Sequence, residues 1–172
     1  MTIWTFRLIL DREPTEVELD ALFEAGCDDA ILGMEGTVAV AEFDREAATM
    51  ADAIVEAVRA IETAGLIPLR AVDQDLVTLA DIADRIGQSR ESVRRYVTGT
   101  RGPGGFPPPV NPAREGTLFY RWSEVAPWVR EYLGAKVEDV DPAVVVANLV
   151  LQARQLWERV ERASVFAELL IA

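Results

Sequence analysis

Apolar residues along this chain follow two rhythms, one of period two and one close to 3.6, and the switches between them mark out the elements. Trp4 to Leu10 is aromatic and aliphatic nearly throughout and reads as a strand, with Pro14 in the loop after it. Thr15 opens a helix: Glu18 stands three residues on, the spacing of a capping box, and Val17, Leu19, Leu22 and Phe23 carry apolar positions as far as Gly26. Ala30 to Met34 and Thr37 to Phe43 read as two strands about a tight turn at Glu35-Gly36. Asp44 stands where it would cap the next helix, in which Ala47, Met50, Ala51, Ile54, Val58 and Ile61 recur at helical spacing until Gly65. Leu66 to Val72 closes as a strand. The order β-α-β-β-α-β predicts a ferredoxin-like sandwich over residues 1–75, with both helices on one sheet face.

A different organisation begins at Thr78. Leu79, Ile82, Ala83 and Ile86 form one helical stripe, Gly87 ends it, and Ser89 caps a second helix that turns Val93, Tyr96 and Val97 inward and Arg90, Arg94 and Arg95 outward. A small residue at Ala83 lets the second helix approach, and a glycine at the turn takes a left-handed backbone without a steric penalty, which makes this a helix-turn-helix pattern. Gly99 to Pro112, GTRGPGGFPPPVNP, is too dense in turn formers for helix or central strand. Leu118 to Trp122 then reads as a strand, and Ser123 as the cap of a helix carrying Val125, Trp128, Val129 and Leu133, with Pro127 in its tolerant first turn. Asp141-Pro142 opens a last helix expected to run on to Leu170. Along it Val146, Leu149, Ala153, Leu156, Val160, Ala163, Ala167 and Leu170 recur at alternating spacings of three and four, which suits either self-association or packing across the chain itself. The expected class is α+β, with domains at 1–75, 76–134 and 141–172.

Charge sharpens this division. The formal charge is −12, yet residues 76–134 hold 8 Lys/Arg against 6 Asp/Glu, a net of +2, while residues 1–75 hold 5 against 17 and residues 135–172 hold 4 against 6. A locally basic module on an acidic body suits contact with DNA through one face, the rest being repelled by phosphate. One cysteine, Cys27, and no histidine leave no internal disulfide, none of the usual Cys/His zinc patterns and no Ser-His or Cys-His nucleophile pair. No enzyme, cofactor or metal site is therefore expected. The opening MTIWTFRLIL is too short an apolar run, and too soon followed by Asp11, Arg12 and Glu13, for a signal peptide or membrane span, so the expected location is cytoplasmic, on the nucleoid.

Taken together, LADIADRIGQSRESVRRYV, TGTRGPGGFPPPV and LFYRWSEVAPWV resemble the excisionase-like and AlpA-like branch of the MerR-type winged helix-turn-helix families. That resemblance spans residues 78–134 and implies a recognition helix, a proline-rich turn at Gly105 to Val110, a short β wing at Leu118 to Trp122 and an aromatic-serine helix start at Ser123 to Trp128. Two departures stand out: Gln88 occupies a position after the turn glycine that is often apolar, and the loop from Phe106 to Leu118 is longer.

A recognition helix lies in the major groove with its N-terminal residues nearest the bases, so Gln88, Ser89, Arg90, Arg94 and Arg95 are candidate DNA contacts. Arginine offers paired donors to guanine or phosphate, Gln88 an amide suited to adenine, and Ser89 a helix start at which backbone N–H groups face phosphate. Glu91 is expected to support Arg95 at i,i+4 rather than to read cytosine. Arg101, Arg114 and Arg121 are candidates for phosphate or minor-groove contact, and Tyr96, Phe106, Trp122 and Trp128 for the module core. The expected function is sequence-specific double-stranded DNA binding by a bacterial transcriptional regulator acting as a homodimer. The alternative is an antitoxin-like autoregulator or an excisionase-like architectural factor that holds a protein partner through its acidic N-terminal domain.

Overall fold

Two long strands, β1 (Thr2–Leu10) and β3 (Val38–Ala47), form the centre of an antiparallel sheet in the computed structural model, which describes residues 1–112, 114 and 116–170. They pair along their whole length, from Thr2 opposite Ala47 to Leu10 opposite Ala39. Phe6, Leu8 and Leu10 are buried on one side of β1, and Ala39, Ala41, Phe43 and Ala47 share that core. β2 (Ala30–Glu35) pairs with β3 and β4 (Pro68–Ala71) with β1, so the order is β2-β3-β1-β4 with every neighbour antiparallel. α1 (Glu16–Glu24) and α2 (Met50–Thr63) contribute to the same core, α2 through Met50, Ala53, Ile54, Ala57, Val58 and Ile61. Each large aliphatic side chain among these is worth roughly 1.5–3 kcal/mol of burial. The chain is thus mixed α+β, and it divides into two compact units, Met1–Val72 with Ala143–Ala172, and Asp73–Pro142.

Local capping in the first unit follows the sequence at one helix and departs from it at the other. Thr15 and Glu18 form a reciprocal capping box, and Arg12, followed by Thr15, holds the Glu18 carboxyl down at about 2. Asp44, by contrast, is no cap. It lies inside β3 opposite Thr5, whose hydroxyl donates to it at 2.6 Å, and Thr49 caps α2 instead by accepting from Asp52 N at 3.1 Å. The physical reason is that Phe43, Arg45 and Ala47 continue the inward alternation, so strand pairing with β1 overrides an isolated cap signal.

The last helix also differs from expectation. α6 spans Pro142–Trp157 and is followed by a 3-10 segment at Ala163–Leu170. The carbonyls of Leu156 and Trp157 accept from Arg159 and Val160, three residues on rather than four, and Arg162 adopts a left-handed φ of 57°. Val144 and Leu151 seat α6 in the core of its own unit, while Gln155 donates to Leu69 O and Arg154 pairs with Glu62. The seam residues Val146, Leu149 and Leu156 lie on the opposite side, each about half exposed.

In the second unit β5 (Leu76–Thr78) pairs antiparallel with β6 (Phe119–Arg121), and α3 (Leu79–Ile86), α4 (Arg90–Val97) and α5 (Trp122–Leu133) share a core of Val77, Ile82, Val93, Tyr96, Tyr120 and Val125 with further neighbours. Thr78 caps α3 in a second capping box, with Asp81. Ser123 does not cap α5, which begins one residue earlier and has no side-chain cap at Arg121. The capping group comes from a distance: fully buried Asp75 accepts from Ser123 N at 2.7 Å and from Arg121 Nη1 at 3.2 Å.

Replacing Asp75 would orphan a buried N–H and an arginine together. Asp75→Ala is expected to cost about 2–3 kcal/mol in urea unfolding followed by tryptophan fluorescence, with Asp75→Asn intermediate. Equal stability of Asp75→Ala and the parent chain would refute this role.

Candidate nucleic-acid interface

α3 and α4 meet at Gly87, whose φ of 65° is left-handed, and the turn closes with Gln88 N donating to Ala83 O at 2.9 Å. Ser89 then caps α4 by accepting from Ser92 N at 3.1 Å. With Val93 and Tyr96 buried, the remaining faces of this eight-residue helix carry Arg90, Glu91, Arg94 and Arg95, all exposed.

Glu91 organises that surface. Its Oε2 accepts from Arg94 Nε at 2.9 Å, and its Oε1 accepts from Arg94 Nη2 and Arg95 Nε, both at 3.3 Å. Hydrogen bonding from Arg94, supported by Arg95, holds the Glu91 carboxyl below its ordinary value. One acidic side chain therefore spaces two arginines and offsets part of their charge. The expected i,i+4 contact to Arg95 is present together with a shorter one to Arg94. Arg90 makes no ion pair or hydrogen bond among the described residues.

The loop after α4 brings a further cation to the same helix. Arg101 lies over the Tyr96 ring at 5.2 Å from its centroid and donates to Ser92 Oγ at 3.4 Å. Gly102 makes this approach feasible: at its φ of 84° a Cβ would stand 3.1 Å from the Tyr96 ring. Farther on, Phe106 packs edge-on against Tyr120 and Trp128, and Trp128 Nε1 donates to Gly104 O at 3.0 Å. The core roles expected for Tyr96, Phe106, Trp122 and Trp128 agree with these contacts, three of them being buried and Phe106 partly so.

Other candidates are dispersed. Arg114 is exposed in a loop closed by Asn111, whose side chain donates to Thr117 O at 2.9 Å and accepts from Phe119 N at 2.8 Å. Arg121 is committed to Asp75 and is only about one-third exposed, so the structure gives it a structural partner rather than a free guanidinium. Gln88 is half-buried, and its Oε1 accepts from Tyr96 Oη at 3.2 Å, which leaves the amide nitrogen as its available group. Gln88, Ser89, Arg90, Arg94, Arg95 and Arg101 thus gather on or beside α4, while Arg114 stands on a separate loop.

Elsewhere, an open cavity of about 860 Å³ in the first unit is walled by Asp28, Asp29, Asp44, Glu46 and Glu56 around buried Arg45. Arg45 is already held there by both oxygens of Asp29 and by Gly26 O. Among the described residues no group of three or more His, Cys, Asp or Glu side chains is placed to hold a metal ion, and no helix is long and apolar enough to cross a membrane.

Removing the Glu91 charge should release both arginines toward phosphate. Glu91→Gln is expected to tighten binding to duplex of arbitrary sequence and to steepen the log–log salt dependence by about 0.9 for each phosphate gained. Fluorescence anisotropy over a salt series measures both, and an unchanged slope and affinity would reject the offsetting role. Comparisons of the chain with protein-family models, with curated proteins and with solved structures each find no match.

Proposed function

We propose that this chain is a sequence-specific double-stranded DNA-binding protein, a bacterial transcriptional regulator that acts as a homodimer and reads the major groove with α4. The observation that carries the reading is the guanidinium-rich surface of α4, where Arg90, Arg94 and Arg95 are joined by Arg101 from the following loop. A short helix bearing three arginines, fixed from behind by Val93 and Tyr96, is suited to enter a groove lined by phosphates. β5, β6 and the Asn111-closed loop with Arg114 support a winged helix-turn-helix reading of the second unit. The strand order β2-β3-β1-β4, with β3 between the two strands that flank α1, supports a ferredoxin-like reading of the first. This is a binding protein rather than an enzyme, and it needs no cofactor.

The homodimer is supported by α6. Its outward side carries Val146, Leu149, Val150, Leu156 and Trp157, each between 44 and 57% exposed, with Ala153 between the two clusters. No charged residue falls on that stripe, which is about 17 Å long, and exposed apolar surface of this extent marks a contact site in a folded protein. An antiparallel copy centred on Ala153 would set Leu149 and Val150 against Leu156 and Trp157. Two copies would offer two recognition helices to half-sites about 34 Å apart on one face of the duplex.

The alternative, an antitoxin-like autoregulator or excisionase-like architectural factor, keeps the same DNA surface and adds a basic protein partner on the acidic first unit. The acid-walled cavity around Arg45 favours it.

Two measurements test the main reading. Selection from random duplexes should enrich a defined site, and Arg94→Ala should then weaken binding to it by about 1–3 kcal/mol, whereas unchanged affinity and preference would remove Arg94 from base reading. In sedimentation analysis the parent chain is expected to run as a dimer and Leu149→Glu as a folded monomer, since Leu149 already faces solvent within its own chain. A parent chain that is monomeric at micromolar concentration, or a Leu149→Glu chain that remains dimeric, would discard the α6 interface.

A further inference from the structure

Hydrogen-bonding capacity on the α4 surface is strongly one-sided, and this narrows the DNA it fits. Acceptors there are few, and each already takes at least one donor. Glu91, the only carboxylate on the helix, has both oxygens engaged by Arg94 and Arg95. Gln88 Oε1 is taken by the Tyr96 hydroxyl. Ser89 Oγ accepts from Ser92 N and donates to Ser92 Oγ, which also receives Arg101 Nη1.

Donors, in contrast, remain available. Arg95 uses only Nε toward Glu91, so its Nη1 and Nη2 fork points away with no partner among the described residues. Arg94 meets Glu91 through Nε and Nη2 and keeps Nη1 free, and the whole guanidinium of Arg90 is unengaged among the described residues. Gln88 keeps its amide N–H groups. Val93 is buried and Val97 only partly exposed, so α4 offers little apolar surface to a thymine methyl.

Set against the four base edges, this inventory discriminates. Guanine shows two adjacent acceptors, O6 and N7, in the major groove. Adenine shows an acceptor beside a donor, cytosine a donor, and thymine one acceptor beside its methyl. A surface richer in free paired donors than in acceptors matches the guanine edge. Resting on the DNA-binding reading above, we infer that each half-site is read through guanines, with the Arg95 fork as a principal reader.

The experiment uses the full chain at a fixed, near-physiological salt concentration. Selection from random duplexes should return half-sites carrying guanines on one strand or the other. Replacing those guanines singly by 7-deazaguanine removes only the N7 acceptor, and at the base facing Arg95 it should weaken binding roughly 5-fold or more. Arg95→Lys keeps the charge but not the fork, so it should sharply reduce the 7-deazaguanine effect at that base.

A selected site without guanine in its half-sites, or selected guanines whose 7-deaza replacement leaves affinity unchanged, would overturn the inference and assign the arginines to phosphate, with DNA binding itself intact. Failure to enrich any sequence would fall on the DNA-binding reading, and the inference would go with it.

Discussion

A single buried carboxylate, that of Asp75, holds the second unit in register. One of its oxygens accepts from Ser123 N and the other from Arg121 Nη1, while its backbone carbonyl takes Trp122 N at 2.7 Å and its own N–H is held by Asp73 Oδ1 at 3.0 Å. Those bonds reach both the end of β6 and the first turn of α5, two elements nearly fifty residues further along the chain. A polar group with no exposed surface is costly unless it is hydrogen-bonded, and here arginine and a helix-start N–H together meet that requirement. Gln74 contributes to the geometry with a left-handed φ of 53°, its carbonyl accepting from Arg85 Nη2 at 3.0 Å. Arg85 in turn covers Trp122, at 4.7 Å from its ring centroid.

From that anchor the order passes to the arginine-bearing surface of α4 through aromatic packing. α5 presents Trp128 between Phe106 and Tyr96, with ring centroids at 4.9 and 5.6 Å. Tyr96 belongs to α4, so the same indole that fixes the glycine- and proline-rich loop also backs the arginine-bearing helix. A loop with this many glycines loses a large conformational entropy on ordering, which the Phe106 and Trp128 contacts and the Trp128–Gly104 hydrogen bond offset. Its ordering matters chemically because it carries Arg101 back to α4. Rigid placement of that guanidinium lowers the entropic cost of binding relative to an arginine on a free strand.

What the sequence makes legible here is what depends on near neighbours. Thr15 with Glu18, Ser89 before α4 and Gly87 at the turn each act within one helical turn, and each takes the place its spacing predicts. Asp44 misleads because its partner is Thr5 on another strand, and the continuation of β3 depends on pairing that periodicity within one segment cannot reveal. Asp75 carries no local signal at all: it sits in a short acidic run, and only the fold brings it to Ser123. The partner of Arg121 is hidden for the same reason, since a surface arginine and the partner of a distant buried aspartate look alike in sequence. Of the expected seam only Val146, Leu149, Ala153 and Leu156 fall within α6, opposite the face that Val144 and Leu151 bury, and Val160 to Leu170 lie past its end, so regular spacing says neither where the helix stops nor which side packs within the chain.

Charge distribution bears on how such a surface would discriminate among DNA sequences. Nonspecific affinity grows with each phosphate neutralised, and the competing sites in a genome are so numerous that excess positive charge lowers the useful ratio of specific to nonspecific binding. This chain carries −12 overall, with its positive excess confined to residues 76–134, and even there Glu91 takes part of the charge of Arg94 and Arg95. Both features oppose indiscriminate phosphate binding. Neither prevents bidentate contact, because Glu91 engages Arg95 through Nε and leaves the Nη fork for a base edge. An arrangement that restrains net charge while keeping paired donors exposed favours recognition by geometry over attraction by charge, and on that ground Glu91 belongs to the proposed reading surface as much as the arginines it holds.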